Sequence, residues 1–186
     1  MVNFDEKNVY FLNKSTYVNL RWIGIFGQFI TINLVALVFK FEFNFILANI
    51  IVLLGTLTNI FLQYFYKLSQ LSNKTAFFYL SIDILQLSFL IYLTGGILNP
   101  FSIFLIIPSI FASTNLNIKS NLILILITII SIVFLTIYHQ DLPSPLNNYK
   151  LSKYYYYSIP IGLLIALIFL NYFAFLFGKE NRIRKE

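Results

Sequence analysis

Long apolar runs dominate this chain and alternate with short polar or turn-forming stretches. Six of the runs are about 16 to 23 residues long, which is enough to cross a bilayer as helices, the shortest only just. They cover residues 22–39, 43–65, 76–93, 101–116, 122–138 and 159–177. The first run begins too late for a signal peptide, and no small-residue cleavage site follows it. The pattern therefore predicts an all-α, polytopic membrane protein with six transmembrane helices.

The composition narrows the class of protein. Hydrophobic residues make up 59% of the chain and charged residues only 11%, whereas a soluble domain carries about 25% charged residues. The chain has no cysteine and a single histidine, so it cannot form disulfides, thiolate metal sites or a His-rich metal centre. We therefore expect no metal. The excess of basic residues is interpreted as a membrane-orientation signal, and no nucleic acid partner is expected.

The basic residues predict the orientation of the spans. If the N-terminus is cytoplasmic, ten of the thirteen Lys and Arg residues lie on the inner side, which is a clear positive-inside bias. Both termini are then cytoplasmic. Residues 1–21 form a cytoplasmic segment and a candidate interfacial helix, and residues 22–177 form the six-helix domain. Residues 178–186 begin a cytoplasmic helix that continues the sixth span.

An uncharged turn connects the third and fourth spans on the predicted outer side. In TGGILNPFSIF, Gly95 or Gly96 can close a helix in the left-handed conformation, and Asn99 with Pro100 can begin the next. A tight turn explains these residues. The unpaired N–H groups of the new helix, beside the Phe101 ring, would also suit a flat apolar ligand with carbonyl acceptors, such as a membrane quinone. Both interpretations remain open.

Several polar residues lie inside the predicted spans. Asp83 is the only acid there, so it should face protein and have a polar partner. Gln28, Asn59, Asp83 and Asn171 all lie six or seven residues from the inner ends of their spans, about 9–10 Å deep. We therefore predict one buried polar layer centred on Asp83. The remaining expectations are that Gln86 shares the Asp83 face, that Arg21 reaches the layer only marginally, that Pro108 kinks the fourth span and that His139 is a solvated loop residue.

Three motifs resemble a known family. GGILNPF matches a GGxxNPF motif, LRWIGIFGQ resembles an LRW…GQ pattern at the start of a first span, and DILQLSFLIYLTGG resembles a third span ending in Gly-Gly. Together they resemble the transmembrane sensor domain of the RegB/PrrB/ActS family of redox-responsive sensor histidine kinases. The resemblance implies a membrane input module in the bacterial inner membrane that senses the redox state of the ubiquinone pool. The family motif falls on the following residues of this chain: Gly95, Gly96, Asn99, Pro100 and Phe101.

The resemblance also implies partners that this chain does not contain. A complete member of the family would be an ATP-dependent protein histidine kinase, and we expect no catalytic residues in this chain itself, because its sequence contains no H-box and no nucleotide-binding segment. The expected partners are membrane lipid, a quinone, a second copy of the chain, a kinase domain and a response regulator. Two alternatives stay open, a small quinone-processing membrane enzyme and a transporter. The enzyme would need further acids, histidines or a metal set in the membrane, and the transporter would favour two similar halves.

Overall fold

The computed structural model describes residues 12–142 and 152–183, with side chains up to residue 179, and most of these residues are helical. Two short strands form a small antiparallel sheet, in which Leu12 pairs with Leu71 and Asn13 with Gln70. The elements in chain order are β1 (Leu12–Asn13), α1 (Lys14–Leu37), α2 (Phe45–Phe65), β2 (Gln70–Leu71), α3 (Asn73–Leu93), two 3-10 helices (Gly96–Leu98 and Pro100–Ile106), α4 (Ile107–Asn115), α5 (Ile118–Ile137) and α6 (Lys153–Ile183).

Five of the described helices are long and apolar enough to cross a membrane, namely α1, α2, α3, α5 and α6. This finding confirms an all-helical membrane protein in outline. The fourth predicted span is shorter and covers Pro100–Asn115. It is a seven-residue 3-10 helix followed directly by the nine-residue α4.

The first and last helices, α1 and α6, are longer than the apolar runs from which they were predicted. Helix α1 begins at Lys14, so residues 14–21 belong to the first helix rather than to a separate segment. Polar side chains do not end a helix whose backbone hydrogen bonds continue, and an apolar run marks only the lipid-facing part. Helix α6 begins at Lys153 and continues through Gly178 to Ile183, as the sequence predicts for Gly178. Residues 1–11, 143–151 and 184–186 of the predicted segments lie outside the described residues.

Short polar side chains begin the helices. The side chains of Asn13, Asn44, Ser72 and Asn117 each accept a hydrogen bond from a backbone N–H in the first turn of α1, α2, α3 and α5. Asn99 does the same for the second 3-10 helix, with Pro100 at its first position, which confirms the predicted cap. These bonds satisfy N–H groups that would otherwise have no partner at the helix ends.

Helix α3 lies at the centre of the bundle. It packs against α2, α4 and α5, while α1 packs mainly on α2 and α6 mainly on α4. The main core therefore gathers around α3 and α5, with fully buried Leu80, Ile84, Ile132 and Leu135. Because α1 contacts α3 chiefly through long side chains, a space remains between these two helices. That space is the candidate functional site.

Pro108 lies where the 3-10 helix changes into α4. A proline at this position cannot donate to the carbonyl of Phe104. That carbonyl instead accepts from the N–H of Ile107, three residues on, which is the 3-10 pattern. The helix is therefore tighter on the N-terminal side of Pro108, and the predicted kink stays a prediction.

Candidate functional site

A groove of about 690 Å³ runs along the bundle between α1, α3 and the segment Pro100–Asn115. Most of its lining is apolar, and a few polar side chains lie along its length. Volumes of about 300–1,000 Å³ with this mixture are typical of small-molecule sites. The groove connects three polar groups of residues: an ion pair on Asp83, an amide pair on Gln86 and the loop around Asn99.

One face of α1 forms a wall of the groove. Six of its eleven lining residues recur every three or four positions, as residues on a single helical face do. They are Tyr17, Arg21, Gly24, Gln28, Thr31 and Val35. A Cβ atom at Gly24 or Gly27 would have no neighbouring atom within 4 Å. These two glycines therefore leave open space between the Arg21 and Gln28 side chains.

At the first end of the groove, Arg21 forms a buried ion pair with Asp83. The Nη2 atom of Arg21 lies 2.8 Å from Oδ1 of Asp83, and Nε donates to the same oxygen at 2.9 Å. The Tyr17 hydroxyl donates to the other carboxylate oxygen, Oδ2. The remaining guanidinium donors reach Thr58 Oγ1 at 2.9 Å and Asn59 Oδ1 at 3.4 Å.

This arrangement explains how two charges remain inside an apolar bundle. The Arg21 side chain is 4% exposed and the Asp83 side chain 20%, and each charged group has several hydrogen-bond partners. The rings of Tyr17 and Tyr79 also face the guanidinium, with centroids 5.7 and 5.4 Å from its carbon. The cluster is thus a neutral, hydrogen-bonded unit that ties α1, α2 and α3 together.

In the middle of the groove, two glutamines bridge α1 and α3. The Nε2 atom of Gln86 donates to Oε1 of Gln28 at 3.0 Å. Gly55 of α2 makes room for this pair, because a Cβ atom there would collide with the Gln86 amide. The remaining donor of Gln28 and acceptor of Gln86 make no other hydrogen bond to residues that the structure describes.

At the other end of the groove, the GGILNPF loop closes on itself. The Asn99 side chain accepts from the Phe101 N–H at 2.8 Å and donates to the Thr94 hydroxyl at 2.5 Å. The Ser102 N–H donates to the Asn99 carbonyl at 2.9 Å. Of the proposed quinone-binding residues, Asn99, Pro100 and Phe101 line the groove.

Gly95 and Gly96 form the turn between α3 and the first 3-10 helix. Both are buried with positive φ, +104° and +59°, as expected for residues that end a helix in the left-handed conformation. A Cβ atom on Gly95 would meet Leu142 at 2.6 Å, and one on Gly96 would collide with His139. These residues therefore shape the turn, and they do not line the groove.

His139 lies in a loop, as the sequence predicts, but it is less exposed than a fully solvated side chain. It is half-buried against Gly96, and its Nε2 lies 3.2 Å from the Tyr156 hydroxyl. That hydroxyl also donates to the Thr136 carbonyl. Because Tyr156 belongs to α6, this contact joins the ends of α5 and α6 beside the turn, a long-range contact that a single sequence does not display.

The predicted polar layer is divided into separate groups. Asn59 and Asp83 meet through Arg21, and Gln28 meets Gln86, but Asn171 lies elsewhere. Its side chain bonds Ser113 Oγ at 2.5 Å and Ser109 Oγ at 3.0 Å, both on α4. Asn171 was assigned to the layer because it lies at the same depth in the membrane as Asp83. Depth along a helix, however, does not determine which neighbouring helix a side chain faces. Helix α6 packs on α4, so Asn171 faces α4 instead of α3.

The sequence analysis did not identify Tyr17, Thr58 or Ser113 as hydrogen-bond partners of the polar residues in the spans. It also predicted only a marginal contact for Arg21, which forms a close ion pair with Asp83. A usable signal was present for two of them, because Tyr17 and Arg21 are four residues apart and share a helical face. That signal was lost because residues 14–21 were assigned to a segment outside the first span. The partners Thr58 and Ser113 are short polar residues in apolar helices, and nothing in the sequence distinguishes them from similar residues that bond their own backbone.

Comparison with known proteins supports the resemblance to a sensor kinase. The chain is 24% identical over 161 residues to the sensor histidine kinase RegB of Cereibacter sphaeroides, and the aligned region covers 86% of this chain. The chain spans 35% of the length of that relative. No family model matches the chain, and no solved structure matches it. The similarity and the apolar helices together fit a membrane input module of a sensor kinase.

Proposed function

We propose that this chain is the membrane input module of a two-component sensor histidine kinase and that it binds a membrane quinone in the groove between α1, α3 and the loop around Asn99. The observation that carries the proposal is the groove itself, which joins the GGILNPF loop to the polar residues of α1 and α3. The similarity to RegB over most of the chain supports the signalling role.

The groove suits a quinone in shape and chemistry. Its apolar walls match an isoprenoid chain, and its few polar side chains match a ring with one or two oxygens. Phe101 and Phe104 lie at the loop end of the groove, with their ring centroids 5.8 Å apart. Aromatic side chains in this position can contact the ring or the apolar chain of a quinone. In the complete system, binding would be passed to a cytoplasmic kinase domain and a response regulator.

Six spans with both termini cytoplasmic are part of the proposal. The short segment Pro100–Asn115 has 16 residues, which would extend only about 24 Å as a regular α-helix. Its first seven residues are a 3-10 helix, which rises about 2.0 Å per residue, so the whole segment extends about 27 Å. This length approaches the roughly 30 Å hydrocarbon core, and it favours a complete crossing in the bacterial inner membrane.

The groove is connected to α6 through α4. Ile107 and Phe111 of α4 line the groove, whereas Ser109 and Ser113 bond Asn171 of α6. Helix α6 continues unbroken to Ile183, toward the predicted cytoplasmic side. A ligand that shifts α4 would therefore shift α6, and we propose this route for the signal. A homodimer of the chain would present two such helices to a kinase.

Replacing Phe101 with alanine is expected to weaken quinone binding several-fold, because the variant loses an aromatic contact at the loop end of the groove. The measurement is a titration of a short-chain ubiquinone into the purified protein in nanodiscs. Phe89→Ala is a matched control, because Phe89 is 60% exposed and does not line the groove. Equal affinity of wild type and Phe101→Ala would remove the Phe101 contact from the proposal.

Replacing Asn171 with leucine is expected to disconnect α6 from the groove, because Ser109 and Ser113 lose their partner on that helix. Hydrogen exchange of the last turns of α6 should respond to quinone in the wild type but much less in Asn171→Leu, while quinone affinity is retained. Tyr172→Leu changes an exposed neighbour on the same helix and should respond like the wild type. A full response in Asn171→Leu would contradict this route.

A further inference from the structure

We propose that the polar ring of the ligand binds at the Gln28–Gln86 amide pair, in the middle of the groove, and that the Asn99 loop forms the apolar rim at one end. This inference rests on the proposed function, because it specifies where in the same groove a quinone or quinol is held. It places the ring deeper in the membrane than the loop that the sequence motif emphasises.

The loop has few polar groups left for a ligand. A helix N-terminus binds carbonyl or anionic groups through its free N–H donors, but those donors are already used here. Pro100 has no N–H, Phe101 donates to the Asn99 side chain and Ser102 donates to the Asn99 carbonyl. The Asn99 amide nitrogen is used by Thr94, through both the hydroxyl and the carbonyl. Hydrogen bonding to the loop would first require breaking these contacts.

The ion pair at the opposite end is also satisfied. Asp83 accepts from Arg21 and Tyr17, one carboxylate oxygen for each. Arg21 donates further to Thr58 and Asn59. The hydrogen bonds of a neutral ligand are too weak to displace charge-assisted hydrogen bonds of this kind, because these are roughly twice as strong as hydrogen bonds between neutral groups. The cluster therefore forms the closed polar end of the groove.

The amide pair, by contrast, retains one donor group and one acceptor group for a ligand. The bond between Gln86 and Gln28 uses one amide nitrogen and one amide oxygen. Whichever way the two amides are turned, one complete NH2 group and one complete carbonyl oxygen remain outside this bond. Both residues line the groove and are half-buried. Across the groove, Gly24 and Gly27 of α1 leave open space for a ring.

This combination matches both redox forms of one ligand. A quinone carbonyl can accept from the free N–H, and a quinol hydroxyl can donate to the free amide oxygen. Along α3, Gln86 lies eight residues from Thr94, which is about 12 Å. A ring held at the pair would therefore direct a substituent along the apolar walls toward Phe104 and Phe101 at the rim, both of which line the groove.

Two variants test the location without changing the loop. Gln86→Leu removes the bridging amide, and Gly55→Ala displaces it, because the new methyl group collides with the Gln86 amide. Each should lower the affinity for a short-chain ubiquinone by about tenfold. Asn33→Leu is the matched control, because it breaks a second amide pair between helices, Asn33–Asn49 at 3.2 Å, which does not line the groove. This control should bind like the wild type.

The outcomes separate the inference from the proposed function. Wild-type affinity in both Gln86→Leu and Gly55→Ala, with reduced affinity in Phe101→Ala, would overturn the amide-pair location and leave the groove as the site. If the wild-type protein itself binds no quinone, the proposed function fails and this inference fails with it. Gly55→Ala keeps the test decisive if Gln86→Leu does not fold, since only the flexible end of one side chain must move.

Discussion

Asp83→Leu is expected to lower the free energy of unfolding by about 3–5 kcal/mol, because the substitution leaves the Arg21 guanidinium buried without its counter-charge. The Arg21 side chain is 4% exposed, so water cannot replace the carboxylate. The loss also removes the acceptor of the Tyr17 hydroxyl. A thermal unfolding experiment in detergent should show a clearly lower midpoint for the variant than for the wild type.

Two controls make the Asp83 result specific. Asp141→Leu removes an acid from an exposed position and should change the midpoint little. The double variant Arg21→Met with Asp83→Leu removes both charges and should be more stable than Asp83→Leu alone, because the unpaired charge is gone. An unchanged midpoint in Asp83→Leu would contradict the assignment of this cluster as the tie between α1, α2 and α3.

Gly24→Leu is expected to reduce quinone affinity by about tenfold or more, because its side chain would occupy the groove between Arg21 and Gln28. Gly24 lies on the groove face of α1, and no atom lies within 4 Å of the position that its Cβ would take. Leucine also favours a helix over glycine by up to about 1 kcal/mol. The variant should therefore fold at least as well as the wild type while it loses ligand.

Gly162→Leu is the matched control for this substitution. Gly162 is a glycine in α6 whose Cβ position is also open, and it lines a separate, smaller groove beside Tyr155 and Ser158. We expect this variant to bind quinone like the wild type. Equal losses in Gly24→Leu and Gly162→Leu would indicate a general effect of added bulk and would argue against the larger groove as the site.

The sequence predicted most of the helices because a helix that crosses lipid requires a long, continuous apolar run. The runs at 43–65 and 76–93 agree closely with α2 and α3. The turn chemistry was equally readable, since positive φ at Gly95 and Gly96 and the cap at Asn99 depend on local backbone preferences. Local signals of this kind are complete within a few residues, so a single sequence contains them.

The site was harder to predict because it depends on which helix faces which. Depth along a span placed Asn171 beside Asp83, but the rotation and packing of α6 direct it to Ser113. The free donors expected at the Asn99 loop were likewise removed by bonds to Thr94 and Phe101, which depend on the folded turn. The Gln28–Gln86 pair joins residues 58 positions apart, and only the packed bundle shows that they meet.

Photoaffinity labelling tests the central claim most directly. A ubiquinone with a photoreactive group on its ring would be bound to the protein in nanodiscs and irradiated, and the labelled peptides would be mapped. The account predicts labels on α1 and α3 around Gln28 and Gln86, competed away by excess unmodified quinone. Labels confined to lipid-facing residues of α2, such as Leu53 and Phe61, or labels that excess quinone does not reduce, would contradict a quinone site in the groove.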